Sequence, residues 1–252
     1  MVNLLHINHW VICILLAAGL TFFVMVIGAH LVAAAEVTRS RFGNLVEAML
    51  DFVREDMVNQ FLGEHSAKWF GFIATLFFFV LFSNILGKLP LPSFESGGQP
   101  IELASPTANI NVTAALAVLV FVIAQFLGIR NMGLLGYCKK RFLLPGAPLW
   151  IQPLAIVIMP IVLLAEPFSL AVRLFANMTA GHLVILTFAV APLIGGLWLL
   201  HHPHAWVHVF AVAPFVVTVV LLAFEFFIAF IQAFVFALLS ALYLSESLEE
   251  SH

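Results

Sequence analysis

Five long apolar stretches, separated by shorter polar ones, run along this chain of 252 residues. A helix needs about 20 apolar residues to cross the hydrocarbon core of a bilayer, so each stretch is long enough, or nearly so, to span it. The pattern therefore predicts an all-α integral membrane protein with about five transmembrane helices. The apolar stretches fall at about 10–35, 69–87, 110–128, 149–200 and 205–244.

The polar stretches between them differ in character. The first, 36–68, carries charges of both signs, and its apolar residues recur at near-helical spacing. This spacing predicts an amphipathic helix in the membrane interface, with an ordinary extramembrane helix as the alternative. The second, Lys88–Asn109, is rich in Pro, Gly and Ser and predicts a loop. The apolar residues that define the amphipathic pattern are Phe42, Leu45, Val46, Leu50, Phe52, Val53 and Met57.

Basic residues indicate the orientation of the chain. The stretches 36–68 and 130–148 contain eight of the ten Lys and Arg residues. Such residues prefer the cytoplasmic side, and both stretches lie there if each apolar stretch between them crosses once. This arrangement predicts an outer N-terminus, an outer 88–109 loop and a cytoplasmic C-terminus.

The last two apolar stretches are longer than one upright span requires. Straight helices of this length would measure roughly 75 and 60 Å, against a hydrocarbon core of about 30 Å. Two solutions remain open from the pattern alone: two spans joined by a hidden turn in each stretch, or a pair of very long tilted helices. Bends are possible at Pro160, Pro167, Pro192 and Pro214.

Composition narrows the functional classes. The chain is 63% hydrophobic and 9% charged, whereas soluble domains carry roughly a quarter charged residues. A net charge of −3 gives no reason to expect nucleic-acid binding. Cys13 and Cys138 lack the spacing of a metal site, and no nucleotide-binding or hydrolase motif is present, so we expect no cofactor and no metal. Four histidines close together in sequence could ligate a metal, but we interpret them more simply as part of an exposed outer loop. They are His201, His202, His204 and His208.

One charge stands out within the longest apolar stretch. Between residues 149 and 200 the only ionisable side chains are Glu166, Arg173 and His182. A guanidinium stays protonated, and holding it at bilayer depth costs at least a few kcal/mol. Asn177, one turn beyond Arg173, shares its helix face. A cation kept at this depth predicts a role in moving ions across the membrane.

The final stretch offers partners for these residues. Glu225 and Gln232 are seven residues apart and share a face of one helix. If the two long stretches pair antiparallel, Arg173 comes close to Gln232, and His182 comes close to Glu225. This would create a buried polar line suited to a proton or ion path.

Each of these residues also has a structural interpretation. Glu166 and Arg173 could form an ion pair within one helix, and Glu225 could neutralise a charge on another helix. His182 could be a hydrogen-bonded packing residue. The amides of Asn177 and Gln232 could join helices by hydrogen bonds. The occurrence of all of them along one line favours the ion path.

Three segments resemble subunit a of F-type ATP synthases. The most specific runs from Glu166 to His182, EPFSLAVRLFANMTAGH, and a second runs from Ile231 to Leu244, IQAFVFALLSALYL. The segment Ser105–Thr113, SPTANINVT, is similar to a third family segment. The resemblance covers most of the chain from about residue 70 onward.

The resemblance implies roles for individual residues. Arg173 matches the essential arginine that faces the ring carboxylate, and four polar residues match the proton access path. Many bacterial members carry Glu after the Ala-Gly pair and His seven before the Gln, so this chain has the exchanged form. Asn109 stands where Asp is frequent, which removes a carboxylate there. The four residues of the access path are Asn177, His182, Glu225 and Gln232.

A further departure concerns Met159, which stands where many members carry Glu. Glu166, two turns further along, is a candidate for part of that role. We add Asn109, Asn111 and Ser169 as secondary candidates for the path. The choice between proton and sodium stays open, because the ring carboxylate largely sets it.

The resemblance also implies an architecture and partners. The two last helices would lie steeply tilted beside a rotating ring of c subunits, with b-type peripheral stalk subunits and other ATP synthase subunits as further partners. We expect a single membrane domain over residues 1–252. Its parts are a first span at 10–35, an amphipathic cytoplasmic-side stretch at 36–68, a helical hairpin at 69–128 and a long tilted helix pair at 149–246.

These observations predict a non-catalytic stator channel subunit. It would provide two proton half-channels and couple proton flow to rotation, with ATP chemistry in other subunits. We expect it in the inner membrane of a bacterium rather than of a mitochondrion. The alternatives are a self-contained secondary transporter whose Arg173 binds an anionic substrate, and a structural scaffold. A repeat of the arginine motif in the first half, which a transporter often shows, is absent from the sequence.

Overall fold

The computed structural model describes residues 9–34, 41–88, 94–96, 99–101, 105–143, 148, 150–201 and 206–248, and the side chains of 182–201 and 206–215 lie outside the described part. Seven α-helical elements lie in these ranges: α1 His9–Ala34, α2 Arg41–Phe52, α3 Gln60–Leu62, α4 Ser66–Leu86, α5 Ile110–Phe142, α6 Gln152–His201 and α7 Trp206–Leu248. A π-helical segment joins α2 to α3, and 3₁₀ turns precede α4 and α5: Val53–Asn59, Gly63–His65 and Pro106–Ala108.

Five helical segments of the described residues are long and apolar enough to cross a membrane. This confirms the prediction of an all-α membrane protein with about five spans. The loop predicted at 88–109 also contains a small antiparallel hairpin of β1, Phe94–Ser96, and β2, Gln99–Ile101. The five segments are Trp10–His30, Arg41–Leu86, Ile110–Phe142, Gln152–Gly181 and Val219–Leu248.

The two last apolar stretches each form one continuous helix. α6 has 50 residues and α7 has 43, so each would exceed about 60 Å if straight. The sequence left a hidden turn open, and the structure decides against it. Proline removes one helical hydrogen bond without ending a helix that is packed or surrounded by lipid. The four prolines within these helices are Pro160, Pro167, Pro192 and Pro214.

The amphipathic stretch is helical, as predicted, but its buried face is narrower than the spacing of apolar residues suggested. In α2 and the π-helical segment, Val46, Leu50, Val53 and Met57 are buried. They recur every three or four residues and contribute to the same core cluster as α4. Phe42 and Leu45, which the spacing placed on that face, point outward and are exposed.

Helix α5 continues into the basic stretch and then turns sharply. Gly133 has φ 71° and ψ 163°, a conformation that favours glycine. Beyond it the chain folds back, so that Tyr137 donates a hydrogen bond to Gln125 and packs on Gly128. The turn therefore brings Lys140 and Arg141 to Glu246 near the end of α7, and Arg141 also to Glu166 of α6.

Helix α4 lies at the centre of the molecule. Its buried residues pack against α1 and α7, and Phe77 makes ring contacts with Phe52 and Phe230. This packing fixes the end of α4, at Leu86, close to the middle of α7. The fully buried apolar side chains of α4 are Ile73, Ala74, Phe77, Phe78 and Val80.

Candidate functional site

Helices α6 and α7 pair in the antiparallel register that the sequence suggested. The side-chain amide of Gln232 donates a hydrogen bond to the backbone carbonyl of Arg173 over 3.0 Å. Two turns before Gln232 on α7, Glu225 lies against Gly181 of α6. A Cβ built on this glycine would be 3.4 Å from the Glu225 carboxyl group. The structure thus brings Arg173 beside Gln232, and the neighbour of His182 beside Glu225.

Glu225 is buried in an ion pair, as in the alternative that it neutralises a charge from elsewhere in the fold, but the sequence did not predict its partner. Its Oε2 lies 3.0 Å from Nζ of Lys88, and only 6% and 3% of the two side chains are exposed. Lys88 follows α4 and had been counted only as a loop charge. The available signal was its isolation as the single Lys or Arg between residues 69 and 129.

A cluster of small polar side chains adjoins this pair. Ser105 donates to the Ser83 carbonyl over 2.7 Å, and Thr107 donates to Oδ1 of Asn84 over 2.6 Å. Asn84 in turn donates to the carbonyl of Ala229, one turn beyond Glu225, over 3.4 Å. We call these four buried residues, Ser83, Asn84, Ser105 and Thr107, the outer polar cluster. Sequence reasoning had quoted Ser105 and Thr107 only as part of a motif.

Arg173 itself is not buried within this chain, contrary to the polar line predicted. Its side chain is exposed, and within the described ranges it makes no side-chain hydrogen bond or ion pair. The side chains of α6 that are buried near Arg173 are instead those of Leu170, Leu174 and Met178. The cation therefore lies on the exposed face of α6, away from the helices that pack against it.

Glu166 does not pair with Arg173, so the structural ion pair considered within α6 is wrong. Its Oε1 lies 2.5 Å from Nη2 of Arg141, whose Nη1 lies 2.9 Å from Oε2 of Glu246. The fold-back of α5 after Gly133 brings Arg141 to this place. The result is a charge cluster that joins the ends of α5 and α7 to the first half of α6.

The remaining predicted residues divide between the surface and a helix cap. Asn177 is half-buried, and Ser169 is exposed one turn before Arg173. Asn109 caps α5, accepting a hydrogen bond from the backbone amide of Asn111 over 3.0 Å, while the Asn111 side chain is exposed. This cap fully accounts for the position of Asn109 in the fold.

His182 lies on the backbone of α6 next to Gly181, but its side chain belongs to the part of α6 that is not described. The histidine group at 201–208 likewise lies outside the described side chains. Within the described residues, no group of three His, Cys, Asp or Glu side chains is placed to hold a metal ion.

Comparison with known proteins explains this arrangement. The family model for the ATP synthase A chain matches residues 10–245. The chain belongs to the ATP synthase A chain family. Similar bacterial proteins are the ATP synthase subunits a of Gluconobacter oxydans, 37% identical over 92% of this chain and 85% of that protein, and of Rubrobacter xylanophilus, 38% identical over 98% and 87%.

The ATP synthase subunit a of Myxococcus xanthus is 39% identical over 86% of this chain, which spans 64% of that relative's own length. Membership of the ATP synthase A chain family agrees with a multi-pass membrane protein that has an arginine on an exposed helix face. Nothing in the comparisons supports a self-contained transporter. The predicted family is therefore confirmed.

Proposed function

We propose that this chain is the stator channel subunit of the membrane sector of an ATP synthase, with two proton half-channels to and from a rotating ring of c subunits. The observation that carries the proposal is the position of Arg173. It is a permanent cation on the exposed face of α6, and its backbone is held by Gln232 of α7. A charge at bilayer depth needs a counter-charge, and a ring carboxylate supplies one.

The surroundings of Arg173 suit a moving partner. Within about two turns of Arg173, the exposed residues on its face of α6 are small, so another helix could approach closely there without interlocking side chains. A guanidinium close to a passing carboxylate favours its deprotonated form, because opposite charges a few ångströms apart attract strongly in a low dielectric. Arg173 would thereby separate the half-channels. The small residues are Ala165, Ser169, Ala176 and Ala180.

The outer half-channel would run to Glu225 and His182. Glu225 is the buried carboxylate that faces α4 and α6, and the outer polar cluster lies beside it. Protons would pass from these groups, with Asn177 and Gln232 along the way, to the ring carboxylate. Asn109, Asn111 and Ser169 keep their place as secondary candidates.

The inner half-channel would open near Glu166. This carboxylate lies two turns before Arg173 on α6, toward the basic end of the molecule. A proton carried round by the ring would leave past this group to the cytoplasmic side. The charge pattern supports this orientation, since Arg141, from the basic stretch 139–141, pairs with Glu166 and basic residues prefer the cytoplasm.

The chain itself would break no covalent bond, so the assembly would synthesise ATP elsewhere. We propose the c ring and b-type stalk subunits as its partners, in the inner membrane of a bacterium. In this proposal residues 1–252 form one membrane domain with an outer N-terminus, and α6 and α7 lie steeply tilted along the ring.

Purification from native membranes in mild detergent tests the assignment. A tagged chain should bring with it a multi-subunit assembly that hydrolyses ATP and contains a ring of small subunits. Recovery of a lone homo-oligomer, in membranes where the other subunits are present and intact, would contradict the proposal. A tagged, unrelated multi-pass protein from the same membranes is the control for non-specific capture.

A further inference from the structure

The Lys88–Glu225 pair joins three helices at one point. Lys88 lies in the turn after α4, Glu225 is on α7, and Gly181 of α6 closes the third side. A Cβ on Gly181 would lie 3.3 Å from Nζ of Lys88, so the pair fits because this position has no side chain. The packing therefore leaves room for these two charged groups and little else.

The turn that carries Lys88 is held firmly. The Lys88 amide donates to the carbonyl of Ile85 over 2.9 Å. Gly87 packs so closely that a Cβ there would lie 2.2 Å from Cβ of Ser105 and 2.7 Å from Cε of Met178. The backbone of Lys88 is thus fixed between the outer polar cluster and α6, and its buried side chain reaches the Glu225 carboxylate.

Only one of the two Glu225 oxygens is occupied. Oε2 accepts from Lys88, whereas Oε1 is buried and has no hydrogen-bond partner among the described residues. Removing two ions from water costs several kcal/mol for each, and one contact of 3.0 Å offsets only part of that cost.

The pair also has a defined position along α7. Glu225, Ala229 and Gln232 lie at successive turns of one face, and they lead from Lys88 toward the backbone of Arg173. Lys88 is the described cation at the outer end of this line. In the proposed orientation, the ammonium group therefore lies at the end of this line that is farthest from Arg173.

We propose that Lys88 is a positioning residue of the outer half-channel, whose ammonium competes with the incoming proton for the carboxylate of Glu225. The inference rests on the proposed function. When the ammonium is on Oε2, the carboxylate is held charged and aimed away from the ring. When a proton binds the carboxylate, the ion pair is lost and the neutral acid can turn toward the ring.

Other charged groups near Glu225 are few in the described part of the chain. Lys88, in the turn after α4, is the charged group that faces Glu225. The residue of α6 that lies against Glu225 is Gly181, which has no side chain, and the outer polar cluster is uncharged. Within α7 the nearest ionisable residues, His208 and Tyr243, are about five turns away. His182 follows Gly181 in sequence, and the variants below are compared with it unchanged.

The test uses the whole ATP synthase in proteoliposomes. ATP synthesis is measured at varied outer pH while a potassium diffusion potential holds the total driving force constant. Lys88→Met should lower the maximal rate and also lower the half-saturating outer proton concentration, about tenfold, because the carboxylate loses a competing cation. Lys88→Arg should preserve the half-saturating concentration. Lys68→Met, an exposed lysine at the other end of α4, is the matched control and should change neither quantity.

A second comparison decides the question if the Lys88→Met enzyme assembles poorly. The neutral double variant Lys88→Met with Glu225→Gln removes both charges, so it should assemble and be no slower than Glu225→Gln alone. An unchanged half-saturating concentration in an assembled Lys88→Met enzyme would overturn the inference. The inference would also be overturned if Lys88→Met lowered the rate of ATP synthesis by the same factor in the enzyme with Glu225 and in the Glu225→Gln enzyme. Both results leave the proposed function intact, which instead fails if Arg173→Ala retains coupled synthesis.

Discussion

The side-chain amide of Gln232 donates a hydrogen bond to the backbone carbonyl of Arg173 over 3.0 Å. The bond joins the two longest helices at the position of the exposed cation and leaves the guanidinium itself unengaged. Gln232 is 8% exposed, so its amide is committed to the protein interior, whereas Arg173 faces outward. The pair thus holds the backbone of Arg173 in place while its charge is offered to a partner.

Arg173→Ala should abolish proton-driven ATP synthesis and leave assembly largely intact. The side chain makes no packing contact that the fold requires, yet it supplies the charge between the half-channels. We also expect a raised passive proton leak. Arg173→Lys should rescue poorly, because an ammonium is a compact point charge without the planar fork of a guanidinium.

The measurement is acid–base-driven ATP synthesis in proteoliposomes, alongside the subunit content of the purified enzyme. Arg130→Ala, which removes an exposed arginine of α5, is the matched control and should retain synthesis. Normal coupled synthesis by Arg173→Ala would remove the basis of the proposed function.

His182 and Glu225 should behave as a functional pair. Either His182→Ala or Glu225→Gln should slow proton translocation, and Glu225→Gln should also lower stability because it leaves the buried Lys88 ammonium without its partner. The exchanged double variant, His182→Glu with Glu225→His, should recover part of the rate. Contact residues show non-additive effects in a double-mutant cycle, so the flux through the four proteins measures the coupling. Strictly additive losses would argue against direct interaction.

Gly87→Ala should be strongly unfavourable because of space alone. A Cβ there would lie 2.2 Å from Cβ and 2.7 Å from the backbone Cα of Ser105. Overpacking of this kind costs about 1–3 kcal/mol or more. Gly71→Ala in α4 is the matched control, with nothing within 4 Å of its Cβ, and should stabilise the helix by roughly 0.5–1 kcal/mol.

Thermal unfolding of the detergent-solubilised chain separates these two glycines. The midpoint should fall for Gly87→Ala and stay or rise for Gly71→Ala. Equal midpoints for the two variants would mean that the turn at Gly87 is looser than the structure shows.

The Arg141–Glu166 pair should contribute to stability. The two side chains are 23% and 16% exposed, and each of Arg141→Met and Glu166→Gln should cost about 1–3 kcal/mol. Glu246→Gln, whose side chain is 45% exposed, should cost less than about 1 kcal/mol. The same unfolding assay measures all three, and a larger effect at Glu246 than at Glu166 would reverse this ranking.

Helices α6 and α7 should each cross the membrane once. Single cysteines placed near 192–204 should react with an impermeant thiol reagent only from the outer face, and those near 143–148 only from the inner face. Within 165–180, the buried positions Leu170, Ala171 and Leu174 should not react from either side in the assembled enzyme. A reactive turn within 165–180 would contradict one continuous tilted helix and the exposure of Arg173 to a ring.

Local pattern was sufficient for much of this protein. The lengths of the apolar stretches predicted the class and the approximate number of spans, because lipid offers no hydrogen-bond partners to an irregular backbone. The spacing of seven residues placed Glu225 and Gln232 on one face of α7, and both are buried there. The motif around Arg173 was specific enough to predict the family, which the comparisons confirm.

Other features depended on contacts between residues far apart in sequence, and no local pattern encodes these. The partner of Glu225 is 137 residues away, at Lys88, and the partner of Glu166 is Arg141, brought near by the turn at Gly133. The exposure of Arg173 also belongs to this level. An apolar helix in lipid has no polar surface to mark its outer side, so hydrophobicity alone does not show which face of α6 packs inward. Only the packing of α6 on α5 and α7 decides that this arginine faces out.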